Sequence, residues 1–217
     1  NGFRIDWPAL RDAVRSLAPQ AVLSVDITQA FGRVELGCAD ADILISSTHK
    51  WTLGIHGGCV IGVPEAGAER LTTKAGGWFH LTNAFEADRF EKAVTKPGAA
   101  SFSVGMPNFI SLYALNASLR YLDGVGIDAI SLHADPLVTK VHAGLVDLGI
   151  EPLAPLRPEF PTGIVSFIHP RSSEIHAALE SEEIHVMHQA GRVRVAVHGY
   201  NTADDVARLL EVIGNAL

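Results

Sequence analysis

Residues 25–50 read VDITQAFGRVELGCADADILISSTHK, and the fold depends on how this stretch divides. Short apolar runs at 22–25 and 43–45 each end in a polar cluster: Asp26, Thr28 and Gln29 after the first, and Ser46, Ser47, Thr48, His49 and Lys50 after the second. Apolar strand cores with polar residues gathered at their carboxyl ends are what an open α/β sheet presents to a ligand in the crevice beyond those ends. A carboxylate and a lysine brought to one crevice point to a cofactor. Taken singly, Asp26 also reads as a turn residue and Lys50 as a solvated charge at a strand end; their joint spacing separates the two readings.

Further along, residues 193–202 read VRVAVHGYNT, an arginine within an apolar alternation followed by a Tyr-Asn-Thr turn. Asp26-x-x-Gln29, then Ser47-x-His49-Lys50, then Arg194 144 positions after Lys50, together resemble the class V aminotransferases, a family of pyridoxal 5'-phosphate (PLP) enzymes that includes cysteine desulfurases, isopenicillin-N epimerase-like proteins, kynureninases and C–S lyases. The resemblance covers nearly all of this chain but only the later half of the family's length.

That resemblance implies the fold and the site. The fold is α/β of fold type I: residues 1–125 would be the C-terminal part of a large PLP-binding domain with a mixed, mostly parallel sheet. Residues 126–217 would be a small C-terminal α/β domain. Lys50 would be the catalytic Schiff-base lysine, Asp26 the partner of the pyridine nitrogen, and Gln29 the contact to the ring's phenolic oxygen. Thr28, beside them, would belong to the cofactor site, and Ser47 and His49 would hold the phosphate. Arg194 would clamp the substrate carboxylate, with His188 and His80 as substrate contacts. The residue types suit the chemistry: a lysine attacks an aldehyde, a carboxylate keeps a ring nitrogen protonated, and a planar guanidinium binds a carboxylate bidentately.

Composition narrows the alternatives. The chain has 217 residues, 47% hydrophobic and 19% charged, with net charge -7, which fits a globular protein and argues against a nucleic-acid or anionic-membrane surface. Cys38 and Cys59, its two cysteines, make a poor disulfide framework and imply a reduced, cytoplasmic protein with buried thiols. His185 and His188 come nearest to metal spacing, but no cysteine or carboxylate cluster completes them, so no metal is expected. No apolar run approaches the ~20 residues of a membrane span, and no signal peptide is visible. Asn1 is not an initiating methionine, so the expectation is a processed or trimmed chain, or the ordered part of a longer one.

In chain order, Asp6 and Pro8 open a helix with Leu10, Val14 and Leu17 on one face, stopped by Pro19. Residues 22–25 are expected as a buried strand, 43–45 as a second and 59–63 as a third. Between the last two, TLGIHGG at 52–58 either cradles a phosphate or permits a tight turn. Trp51 is expected to pack as wall. Residues 76–100 read as a long loop, more often functional than idle, holding Trp78 and His80. The following segment, with Phe102, Gly105, Pro107 and Asn108, resembles a family segment in which Met106 replaces a threonine that commonly touches the neighbouring subunit's cofactor phosphate.

Helices are expected at 107–123, with Phe109, Leu112, Leu115, Leu119 and Leu122 on one face, and at 128–148, kinked at Pro136, with Leu137, Val141, Leu145 and Leu148 as core. Then come a strand at 163–168, a helix at 172–182, strands at 186–189 and 193–197, and a last helix from Thr202 burying Val206, Leu209, Leu210 and Ile213.

The residues do not choose among transamination, β-elimination and epimerisation, which share removal of the α-proton. Cysteine desulfurases carry a nucleophilic cysteine shortly before the arginine strand. Here residues 185–191 read HVMHQAG, which disfavours that chemistry. The leading expectation is a C–S lyase or epimerase-like enzyme on a small amino acid, with an aminotransferase as alternative. Expected partners are a second copy in a homodimer or a second chain supplying the N-terminal half. A non-catalytic binding remnant is the reading of another class.

Overall fold

The computed structural model describes residues 1–217. The chain forms two compact units. One, here the lysine unit, comprises Trp7–Gly32 and Leu36–Gly124; the other, the arginine unit, comprises Asn1–Asp6, Arg33–Glu35 and Val125–Leu217.

The lysine unit begins with α1 (Trp7–Leu17), followed by β1 (Ser24–Asp26), β2 (Ile43–Ser47) and β3 (Cys59–Gly62). Polar side chains tie α1 to the β1–β2 connection. Trp7 Nε1 donates to Asp40 at 2.6 Å, and Arg15 reaches the Asp42 carboxylate at 2.7 Å and the Ala21 carbonyl at 2.6 Å. The sheet order is β1-β2-β3, with β1 parallel to β2 (Ser24 opposite Ile43, Asp26 opposite Ile45) and β2 antiparallel to β3. Because β1 and β2 run the same way, both polar clusters leave the sheet at the carboxyl end of these strands.

Two expectations change here. The first strand is not a buried 22–25 run: it lies at 24–26 on the sheet edge, and Val22 is 44% exposed. An edge strand has a neighbour on one side only, so its apolar residues are not enclosed. Cys59, expected buried, is exposed at the start of β3, whereas Cys38 is buried.

Between β3 and α2 (Phe109–Val125) the chain is mostly irregular, with short 3-10 helices at Glu65–Gly67 and Gly98–Phe102 and a bridge between Leu81 and Thr95. Asn83 staples this segment by donating to the Asp88 carboxylate and the Lys92 carbonyl and accepting from the Val94 N–H. On α2 only Ser111 and Leu122 are buried, while Phe109 and Leu112 are exposed. Leu115 and Leu119 are partly covered, so the stripe packs toward the C-terminal end of α2 and stays open at its start.

The arginine unit contains α3 (Ile127–Asp147), β4 (Ile164–Ile168), α4 (Ser172–Ser181), β5 (Met187–Gln189), β6 (Arg192–Ala196) and α5 (Ala203–Asn215). Its sheet is antiparallel, in the order β4-β6-β5. β5 and β6 are joined by Ala190-Gly191, both at positive φ, the conformation a two-residue hairpin turn demands. Ala134, Leu137, Val141 and Leu145 of α3, Phe167 of β4, Ile175 and Leu179 of α4, Val193 and Val195 of β6 and Val206, Leu209 and Ile213 of α5 form one core. Pro136 is accommodated within α3. Thr202 and Asp205 cap α5 reciprocally, each side chain accepting from the other's backbone N–H. No helix is long and apolar enough to cross a membrane.

Candidate active site

The carboxyl end of β1 and β2 collects the first group of candidate residues. The Asp26 side chain is exposed beyond β1, and its Oδ1 accepts the Thr28 N–H at 2.8 Å. This local turn orients the carboxylate and leaves Oδ2 without a hydrogen-bond partner in the chain, so Asp26 is both a turn residue and an exposed charge. Thr28 is not presented in the same way. It is only 7% exposed, and its Oγ1 accepts the Ser47 N–H at 3.0 Å. As a buried brace, Thr28 fastens the end of β1 to the end of β2 and thereby sets the spacing between Asp26 and Lys50.

Gln29 is exposed, and its Oε1 accepts the indole N–H of Trp51 at 3.0 Å. An indole nitrogen only donates, so the amide oxygen must face it and the amide NH₂ must turn away. Trp51 is itself buried. Packing was the expected role of its ring; the hydrogen bond that orients Gln29 was not anticipated.

After β2 the chain wraps around Thr48. The buried Thr48 hydroxyl donates to the Ile55 carbonyl at 2.8 Å, and the Thr52 hydroxyl donates to the Thr48 carbonyl at 2.8 Å. A Cβ on Gly54 would lie 2.4 Å from the Thr48 oxygen, and one on Gly58 would lie 2.8 Å from Thr48 Oγ1. Of the two readings of the TLGIHGG segment, close backbone approach therefore accounts for Gly54 and Gly58. This wrap holds His49 and Lys50 outward. The His49 ring stacks on His56, with centroids 3.9 Å apart at 17°. Desolvation, then His56, then Lys50 hold its pKa below the usual imidazole value. Ser47 is partly exposed at the end of β2. The exposed Lys50 makes no side-chain hydrogen bond or ion pair.

His80 is not placed as a substrate contact. Its ring is fully buried and Nδ1 lies 2.7 Å from the Ser101 carbonyl, so it clasps the loop to the Gly98–Phe102 turn. Its neighbour Trp78 is exposed and meets Phe85 edge-on.

In the arginine unit, strand alternation sorts the remaining candidates. Arg194 lies opposite Ser166 and Met187, whereas His188 lies opposite Val193. Directly opposed residues share a sheet face and successive residues alternate, so His188 is on the core side with Val193 and Arg194 is on the other. The His188 ring accordingly sits against α4, with Nε2 3.2 Å from the Ser172 hydroxyl and its ring stacked on His176. His188 therefore does not share the face of Arg194, as a substrate contact beside it would need to. Arg194 is partly buried, and desolvation followed by the charge of Arg192 lowers its pKa. No cluster of histidine, cysteine and carboxylate groups capable of holding a metal is present.

Sequence reasoning also missed Arg33, which is completely buried and donates to the Val197 carbonyl at 2.8 Å and the Asp135 carboxylate at 2.7 Å. It lies in the connection between β1 and β2, within AFGRVEL, where nothing local signals its burial.

The chain as a whole has relatives among known proteins. The pattern of the family described as "Aminotransferase class-V" matches residues 1–209. An uncharacterized aminotransferase of Bacillus subtilis (strain 168), YcbU, is 28% identical over 195 residues, covering 89% of this chain and 51% of that protein. A probable cysteine desulfurase of Pyrococcus abyssi is 27% identical over 212 residues, covering 89% and 51%. Among solved structures, the cystine C–S lyase C-DES bound to its product cysteine persulfide superposes with a TM-score of 0.71 at 21% identity, covering 86% of this chain and 50% of that one. A C-DES variant with glycine covalently linked to its PLP cofactor gives a TM-score of 0.71 at 22% identity with the same coverage. The chain spans about half the length of the curated relatives it matches. A match over 209 of 217 residues, on a fold shared with PLP enzymes, makes this chain a member of the class-V aminotransferase family.

Proposed function

We propose that this protein is a PLP enzyme acting at the α-carbon of an amino acid, with C–S lyase or epimerase-like chemistry. The observation that carries the reading is the parallel pairing of β1 with β2, which brings Asp26, Gln29, Ser47, His49 and Lys50 to the carboxyl end of both strands with Lys50 unpaired. The residues fit the group. Lys50 is free to form the covalent link, Asp26 has a carboxylate oxygen without a partner in the chain for a protonated ring nitrogen, and the Gln29 amide offers its NH₂ to a phenolic oxygen. Ser47 and His49 receive the phosphate, and Arg194 holds the substrate carboxylate.

When bound, PLP supplies an electron sink for the α-carbon. The chain's own part is to keep the ring nitrogen protonated through Asp26 and to orient the ring through Gln29. The Lys50 amine, exposed and without a partner in the chain, would be the base that takes the α-proton and returns it. Because the chain spans about half of its relatives, the activity proposed is that of the protein with the remaining half supplied, on the same polypeptide or a second one, and working as a dimer.

C–S lyase or epimerase-like chemistry is favoured over persulfide-forming desulfuration because residues 185–191 contain no cysteine and β5 occupies 187–189. Transamination is the second reading, since it uses the same proton transfer at Lys50. The test is borohydride reduction followed by intact-mass and peptide mapping. A phosphopyridoxyl adduct on Lys50, absent in Lys50→Ala, supports the reading. An unmodified Lys50 after incubation of the protein, with its remaining half supplied, in excess PLP overturns it.

A further inference from the structure

β6 carries two arginines, Arg192 and Arg194, separated by one residue and so projecting from the same face of the sheet, on the side away from the buried Val193 and Val195. Their surroundings differ from those of every other arginine. Each of the other ten makes at least one hydrogen bond through its guanidinium, to a carboxylate, an amide or a backbone carbonyl. Arg192 and Arg194 make none, and neither has an ion pair. Arg192 Nε is buried without a partner, and so is the hydroxyl of Ser166, which lies opposite Arg194 on β4.

Two neighbouring guanidinium groups are mutually repulsive, and partial burial of Arg194 adds to the cost of its charge. Such an arrangement is stabilised by anions. The protein supplies no carboxylate: the residues opposite the pair are Ser166 and Met187 at Arg194, and Ile168 and Gln189 at Arg192. The Asn1 ammonium, close to both guanidiniums, adds to the positive charge, and an anionic ligand would supply the counter-charge. Residues two apart on a strand are separated by roughly 7 Å, which suits one anionic group at each guanidinium better than one group shared by both.

We propose that Arg192 and Arg194 form a dicarboxylate receptor, so that the substrate is an amino acid with an acidic side chain, its α-carboxylate on Arg194 and its second carboxylate on Arg192. This rests on the reading of Arg194 given above and adds the substrate class. Gln189, opposite Arg192 on β5, is the neutral neighbour that tolerates the second carboxylate, where an acidic residue would have neutralised Arg192 internally.

The experiment is calorimetric titration of the complete, PLP-loaded protein with succinate and with butyrate, which match in length and differ by one carboxylate. Succinate should bind at least tenfold more tightly, the range expected of one further charge-assisted pair. Arg192→Gln should bring succinate down to the butyrate level and leave butyrate unchanged, while Arg194→Gln should weaken both. Arg192→Lys keeps the charge without the planar fork and should lose about threefold or more for succinate alone; it carries the test if the glutamine variant does not fold. Equal binding of the two acids by the wild type, or equal loss of both in the Arg192 variants, would overturn the proposal, the latter because it means one anion shared by both arginines. Borohydride reduction of the same sample separates this failure from failure of the PLP reading: a Lys50 adduct without a succinate preference sinks only the dicarboxylate inference.

Discussion

The Trp51 indole N–H donates to the Gln29 side-chain oxygen at 3.0 Å and thereby decides which end of that amide faces outward. Trp51→Phe keeps most of the ring's packing but removes the donor, freeing the amide to present its oxygen. Where the NH₂ group donates to the cofactor's phenolic oxygen, the variant should bind PLP about 3- to 10-fold more weakly, the equivalent of about one hydrogen bond. The midpoint of the bound cofactor's absorbance titration should also rise. In a Gln29→Ala background the same substitution should add nothing to either effect. Additive losses in the double variant would show that Trp51 acts through packing and not through Gln29.

His49 stacks on His56 and is held below its ordinary pKa by desolvation, by that ring and by Lys50. His56→Ala removes both cover and charge, so the His49 ring resonance should titrate at higher pH in an NMR titration; no change would refute the coupling. The sign for stability follows from linkage. Near pH 6.5 the unfolded chain takes up a proton that folded His49 resists, so the contribution is intact above that pH and is lost as pH falls below it. His49→Gln should flatten that acid-side decline in denaturation midpoints.

Gly54 and Gly58 lie against Thr48 so closely that any side chain would meet it. Gly54→Ala places a methyl against a backbone carbonyl, which cannot yield as a flexible side chain could. It should cost roughly 1–3 kcal/mol in urea unfolding. Gly67→Ala, where nothing lies within 4 Å of the added carbon, is the control and should be close to neutral.

Arg33 is completely buried, and its carboxylate partner Asp135 is 32% exposed. Asp135→Ala leaves a buried guanidinium with only the Val197 carbonyl. Breaking a buried pair from one side costs about 3–5 kcal/mol, and the partial solvation of Asp135 places this one at about 3 kcal/mol. A change below about 1 kcal/mol in chemical denaturation would mean that water already solvates Arg33.

Much of the candidate site was legible because its signals are short and local. Asp26, Gln29, His49 and Lys50 are strand-end residues whose spacing follows from strand lengths, and all four lie at the carboxyl end of β1 and β2 or just beyond it. The helices at 127–147 and 203–215 were legible for a related reason, since their apolar stripes meet a core that the same unit supplies. The α2 stripe, read by the same rule, is exposed at Phe109 and Leu112 and covered only further along, because periodicity names a face and not its cover.

Residue order by itself determined the family, the strand-end chemistry and the helical faces, because each depends on neighbours within a few positions or on repeat spacing. Only the tertiary structure decided what depends on chain segments meeting: the closing of Thr28 onto Ser47, the orientation of Gln29 by Trp51, and the burial of His80 against Ser101. It also decided that His188 and Arg194 face opposite ways, since the β5–β6 register sorts side chains between faces and a shift of one residue would reverse it. The isolation of Arg192 and Arg194 from any internal carboxylate belongs to the same class of fact: a charge is unpaired only by virtue of what the fold places around it.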